Sequence, residues 1–93
     1  MSYEFEWDEA NKDKSRIKHG ISTEEAESTF DDIIQLLEDT KHSEKETRFI
    51  LIGTSNKKRK LFISFTRRGE KIRIISARRM HKKEIENYEK KDM

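Results

Sequence analysis

Ninety-three residues suffice for one small domain spanning 1–93, and with 31% hydrophobic and 43% charged residues its core must be thin. No apolar run reaches the roughly 18–20 residues of a membrane span, and the acidic start Met1-Ser2-Tyr3-Glu4 leads into no apolar stretch, which predicts a chain without a signal peptide. The absence of cysteine excludes a disulfide framework and a thiolate metal site and fits a cytoplasmic protein of bacterial type. The net charge of +2 conceals a strong polarity: residues 1–47 carry 6 Lys/Arg against 14 Asp/Glu, residues 48–93 carry 15 against 5. Balances of −8 and +10 point the second half at a polyanion, with the first half offsetting it or meeting something basic. The plainer alternative is that the two halves neutralise each other across the fold.

In chain order, Phe5 and Trp7 alternate with Glu4, Glu6 and Asp8, as in a short strand or an extended lead-in. Asp8 is placed to cap a helix over Glu9–Lys18, whose few apolar residues, Ala10 and Ile17, predict a surface helix. His19-Gly20 ends it, glycine taking the left-handed conformation without penalty. Ser22-Thr23-Glu24-Glu25 reads as a capping box, opening a second helix from Thr23 to about Phe30 that buries Ala26 and Phe30. Asp31-Asp32 breaks it, a strand is expected over Ile34–Glu38, and residues 39–44 read as a loop.

Three runs of β-branched and aromatic residues follow: Arg48–Gly53, Leu61–Thr66 and Ile72–Arg79. The basic turns between them are short enough to require antiparallel hairpins. Phe49, Leu51 and Gly53 share one face while Ile50 and Ile52 take the other, which predicts a sheet covered on both sides. Strict alternation along the last run sets Ile72, Ile74, Ser76 and Arg78 against Arg73, Ile75, Ala77 and Arg79. Arg78 and Arg79 then share a face only if the chain turns at the strand's end. A final helix from about His81 to Lys90 packs through Ile85 and Tyr88. The expected architecture is α+β: two N-terminal helices, an antiparallel sheet of three to four strands and a C-terminal helix.

Several chemistries lack their residues. His19, His42 and His81 are scattered without ligand spacing, so no metal site is expected. No serine sits in a Gly-x-Ser-x-Gly turn, and three dispersed glycines build no phosphate loop. What remains is a set of arginines, lysines, histidines, glutamates and a tyrosine. That set suits transesterification of RNA by its own 2′-hydroxyl, where the protein supplies a base, an acid and positive charge, and needs no cofactor. Each basic residue has a duller reading as a solvated charge, but the cluster Arg73, Arg78, Arg79 is unusual in a strand, where bases and acids more often interleave.

Phe5-Glu6-Trp7-Asp8, Lys18-His19-Gly20, Glu24-Glu25-Ala26, Phe30-Asp31-Asp32, His42-Ser43, Arg48-Phe49, Ile52-Gly53 and Arg73-Ile74-Ile75-Ser76-Ala77-Arg78-Arg79, followed by Glu84 and Tyr88, occur in order. Together they resemble the BrnT family of toxins from bacterial type II toxin–antitoxin systems, from Phe5 to about Glu89. The resemblance implies a RelE-like fold, metal-independent RNA cleavage that arrests growth, and neutralisation by a BrnA-type ribbon-helix-helix antitoxin, with DNA bound only through the toxin–antitoxin complex. Four positions depart from the family pattern: Asn11 stands where a lysine is usual, with Lys12 beside it; Ser15 replaces an asparagine; Ile33 follows Asp31-Asp32 in place of proline; and His81 replaces a capping threonine.

The expected catalytic candidates are Arg78, Arg79, His19, Glu84 and Tyr88; the expected substrate-binding candidates are Arg73, Lys18, Lys12, His42 and Arg68. Each has a structural counterpart reading. His19 serves equally as a residue favoured by the helix dipole, and His42 as a loop-ordering donor. Arg73 could pair with Glu70 or Glu84, while Tyr88 and Trp7 could be core anchors. The alternative function is a non-catalytic nucleic-acid-binding module or a regulatory subunit, in which the same arginines only neutralise phosphates or a sheet edge only docks another chain.

Overall fold

The computed structural model describes residues 4–7, 9–42 and 46–91. The elements run β1 (Glu4–Trp7), α1 (Glu9–His19), α2 (Thr23–Ser28), a 3₁₀ turn (Thr29–Asp31), β2 (Ile33–Glu38), a second 3₁₀ turn (Thr40–His42), β3 (Arg48–Thr54), β4 (Lys60–Arg68), β5 (Lys71–Arg79) and α3 (Lys82–Lys91). The chain is α+β as expected, but the sheet has five strands in the order β1-β5-β4-β3-β2, and it is mixed. β1 lies parallel to β5, Phe5 beside Ile72 and Trp7 beside Ile74. A purely antiparallel sheet of three to four strands is thus corrected. The lead-in Phe5 and Trp7 are apolar enough to lie against the core, and that draws their strand onto the free side of β5. The proposed cap at Asp8 lies outside the described residues. No described helix is long and apolar enough to cross a membrane.

The core occupies one face of the sheet. Ile21, Ala26 and Phe30 from the helical layer meet Leu51, Leu61, Ile63, Phe65, Ile72, Ile74 and Ala77 from the strands. Phe30 joins Phe5 and Phe65 edge-on, with ring centroids 5.1 and 5.2 Å apart, and Phe49 stacks on Phe65 at 5.4 Å. Such pairs add to burial because the positive ring edge meets the negative face. The other face is covered only in part: Ile52 and Thr66 are fully buried there, but Ile50, Phe62, Ser64 and Ile75 are half-buried and Ser76 is exposed, so the expectation of cover on both sides holds only around Ile52 and Thr66.

Two local features fix this layering. A Cβ on Gly53 would stand 2.7 and 2.8 Å from the carbonyl oxygens of Asp32 and Thr29, so only glycine lets the first 3₁₀ turn settle on β3. The second is a bulge in β5: Ser64 pairs with Ser76, but Phe65 pairs with Ile74, leaving Ile75 unpaired. Beyond an extra residue the alternation inverts. Ile72, Ile74, Ala77 and Arg79 therefore share the helix-covered face with Leu61 and Ile63, whereas Arg73, Ser76 and Arg78 share the open one. This corrects the assignment from strict alternation. Buried Ser15 on α1 holds the shifted strand, its Oγ accepting from the Ala77 N–H at 3.2 Å.

The capping box is half formed. The Glu25 N–H donates to Ser22 Oγ at 3.1 Å, but the Glu25 side chain does not return the bond. Its carboxylate, 1% exposed, turns inward to accept from Ser55 Oγ at 2.7 Å and Arg59 Nε at 2.7 Å, with Arg59 Nη2 closing a second bond. Arg59 also donates to the Gly20 carbonyl at 3.2 Å. One ion pair thereby ties α2, the turn after α1 and the β3–β4 connection together. A buried carboxylate finds in a guanidinium a partner that satisfies both its oxygens, which a backbone N–H cannot do.

Candidate functional site

A cleft of about 490 Å³ opens where α1 ends, β5 ends and α3 begins. Lys18 and His19 line it from α1, Arg78 and Arg79 from β5, and Met80, His81 and Lys82 from the following turn, so six of the seven lining side chains are basic. Each position follows from local chemistry. Gly20, at φ +66°, turns the chain sharply after His19. The Gly20 and Ile21 N–H groups then bond back to the Arg16 and Ser15 carbonyls, leaving Lys18 and His19 at the helix end, where cations are favoured. Across the cleft α3 presents its N-terminus, the end that favours anions. Glu84 opens that helix by accepting from the His81 N–H at 2.9 Å, the reciprocal bond of a capping box in the absence of a hydroxyl.

Arg78 is engaged. Its guanidinium forms a two-pronged pair with Glu84 at 2.8 and 2.9 Å, reaches the Arg79 carbonyl at 3.3 Å and lies 4.3 Å over the Phe62 ring. The Arg78 bonds, followed by the His81 N–H, pull the Glu84 carboxyl down from 4.5 to about 2. Lys18, Arg79 and Lys82 form no ion pair with any described residue, and Arg79 is exposed. The cleft therefore offers uncompensated positive charge beside one arginine already seated on a carboxylate. Chemically, such a set can hold a phosphodiester and stabilise charge building on it, and two imidazoles, His19 and His81, line the same cleft.

Of the expected residues, Lys18, His19, Arg78 and Arg79 line this cleft and Glu84 adjoins it. The strand's end resolves the question of faces: Arg78 and Arg79 stand on opposite faces of β5, yet both border the cleft because the strand stops there. Arg73 lies elsewhere, 3.8 Å from Glu6 across the parallel β1–β5 pair, its partner neither Glu70 nor Glu84. Arg68 lies 3.6 Å from Glu46 and pairs with Lys71, at the far end of the β4–β5 ladder, roughly 23 Å from Arg79 at about 3.3 Å per residue along β4. His42 closes the second 3₁₀ turn after β2, and Lys12 and Tyr88 sit on α1 and α3; their side chains lie outside the described residues. Lys82 was missed, and its signal was its place at the strand-to-helix junction directly behind Arg78, Arg79 and His81. Among the described residues no three His, Cys, Asp or Glu side chains converge as metal ligands would.

These features define a small α+β protein with a cationic cleft at one end of its sheet, suited to an anionic ligand. A family model described as the ribonuclease toxin BrnT of type II toxin–antitoxin systems matches residues 7–84, and the chain belongs to that family. The matched span takes in the cleft's α1 and β5 sides and reaches Glu84. A search of curated proteins finds no match.

Proposed function

We propose that the protein is an endoribonuclease toxin that cuts RNA in the cleft between α1, β5 and α3 without a metal. The observation that carries this reading is the convergence of Lys18, His19, Arg78, Arg79, His81 and Lys82 on one cleft in a chain of the ribonuclease toxin family. In the proposed reaction a base removes the 2′-hydroxyl proton and O2′ attacks the adjacent phosphorus. The P–O5′ bond breaks, and an acid protonates the departing oxygen. His19 and His81 are the proton-exchanging candidates; Arg79, Lys18 and Lys82 face the phosphorane charge, and Arg78 joins them as its grip on Glu84 loosens. The products are a 2′,3′-cyclic phosphate and a 5′-hydroxyl. The same reading assigns a RelE-like fold, a cytoplasmic setting and a BrnA-type antitoxin as the neutralising partner, with DNA engaged only by their complex.

The test is cleavage of a labelled RNA in the presence of a chelator, with the product ends identified. Cyclic phosphate ends are expected, with at least a hundredfold loss of rate in Arg79→Ala, the scale on which removing a preorganised charge acts. Intact RNA at saturating protein would end the reading. A second reading, a nucleic-acid-binding module without catalysis, has its own observation: Glu84 occupies both prongs of Arg78 and leaves the cleft fewer working groups. It predicts salt-sensitive gel shifts and no cleavage.

A further inference from the structure

Among the described residues four large apolar side chains are exposed, and three of them, Ile33, Leu36 and Leu37, belong to β2. Leu36 is 53% exposed. β2 is the last strand of the sheet, so its outer backbone row has no strand partner among the described residues. Edge strands are usually blunted by lysine, proline, inward charge or a bulge; Ile-Ile-Gln-Leu-Leu-Glu carries no lysine or proline, and its one shift of register, between Ile33 and Gln35, leaves Gln35 to Glu38 regular. Beside it a groove of about 230 Å³ runs over the helix-side face, floored by Leu51, Phe65 and Ile72 and walled by Phe30, Ile33 and Leu36. Arg67 and Glu70 close its far end. Both ends of the strand are acidic: Asp31 and Asp32 are exposed before it and Glu38 is exposed at its close.

We infer that β2 and this groove form the docking strip for an extended apolar segment of the antitoxin, flanked by basic residues and added to the sheet as a sixth strand. The inference rests on the toxin reading above. Charge selects the occupant. In an antiparallel pairing of two copies, Glu38 of one would meet Asp31 and Asp32 of the other; in a parallel pairing each acid would meet its own equivalent. Like charges placed opposite are destabilising either way, and the same acids repel RNA. A strand with lysine or arginine at both ends satisfies the acids, the backbone row and the groove together. β2 is the edge strand on the other side of the sheet from β5, and the groove reaches β5 only at Ile72, at the end of that strand away from Arg78 and Arg79, so a segment seated there anchors the antitoxin without itself filling the cationic cleft.

The test uses amide hydrogen exchange on the full chain with two synthetic peptides. One has a core of alternating valine and threonine with two arginines at each end; the other has the same core with two glutamates at each end. The arginine peptide is expected to slow exchange across residues 33–38 at least tenfold, in a salt-sensitive way, and the glutamate peptide to leave it unchanged. Leu36→Asp, at an exposed position, should abolish the protection and weaken binding of a purified BrnA-type antitoxin at least tenfold. RNA cleavage by the free variant should stay within twofold of the parent. Ile33→Ser serves as a second variant, with the melting curve of each confirming the fold. Equal protection by both peptides would overturn the inference. So would antitoxin affinity unmoved by both variants, or a homodimer in sedimentation that Leu36→Asp dissociates. Protection at β2 from a protein that cleaves no RNA would retain the docking strip and end the nuclease reading alone.

Discussion

Among the described residues two guanidinium–carboxylate pairs are two-pronged, Arg59–Glu25 and Arg78–Glu84, and they are set in different surroundings. Glu25 is sealed, and its pair joins three parts of the chain that lie 34 and 39 residues apart. Arg78 and Glu84 are each about a third exposed, six residues apart, at the mouth of the cationic cleft. Burial of Glu25 makes the first pair a fastener, since its carboxylate cannot be left alone in a low dielectric, even though Arg59 itself reaches solvent. Exposure leaves the second exchangeable, because water and an incoming phosphate can both compete for the arginine. On the proposed reading the same bond serves structure at one site and reserves a charge for use at the other.

The largest effect that would test this contrast is on stability. Arg59→Ala should strand the Glu25 carboxylate and destabilise the protein by about 3–5 kcal/mol, lowering the melting midpoint by more than about 12 °C for a chain of this size. A shift of only a few degrees would show that Glu25 finds water and that the pair is no fastener. The acid response carries a sign as well. The Arg59 bond holds Glu25 below its ordinary value, so the stability it contributes is present above that value and is lost as pH falls.

A smaller effect lies between the two pairs. Ser15 fixes the strand beyond the bulge at Ile75 and so decides which way Arg78 points. Ser15→Ala removes the acceptor for the buried Ala77 N–H, at a cost of about 1–3 kcal/mol. If the bulge sets the cleft, cleavage should fall by more than the loss of folded protein accounts for. Equal losses would mean that the strand keeps its register unaided.

How far the residues foretold this arrangement differs between elements for physical reasons. The hairpins of β3, β4 and β5 were readable because short polar turns between β-branched runs leave the chain no other local pairing. The parallel seat of β1 was not, since it joins residues more than sixty positions apart and depends on which side of β5 remains free. The bulge was hidden by Ile74-Ile75: two adjacent apolar residues suit either face, so the shift left no mark in the pattern. That same shift separates Arg73 from Arg79 and turns it with Arg78 to the open face, where Glu6 waits. Lys18, His19, Arg78 and Arg79 could be named because a glycine turn and a strand end are local signals, whereas the inward turn of Glu25 needed Arg59, 34 residues away. Glutamate three residues after Ser22 looked like a cap because the cap and the buried pair share a sequence.

Glu84→Gln is the change that most narrowly probes the exchangeable pair. Its folded carboxyl sits near 2 against an ordinary 4.5, so its contribution to stability is complete above about pH 4.5 and disappears as pH falls toward 2. The amide keeps one hydrogen bond to Arg78 or to the His81 N–H but removes the charge, so neutral-pH stability should fall by no more than about 1 kcal/mol, as for other solvent-accessible pairs. The part of acid unfolding between those pH values should flatten in the variant. RNA binding should move the other way. With its carboxylate gone, Arg78 adds one working charge to the cleft, and the dependence of log affinity on log salt should steepen by about 0.7, one single-strand phosphate contact. If Glu84 instead orients Arg78 for substrate, the slope stays unchanged and affinity drops. Measured together, the melt and the salt slope separate an arginine held in reserve from one that needs its carboxylate to work.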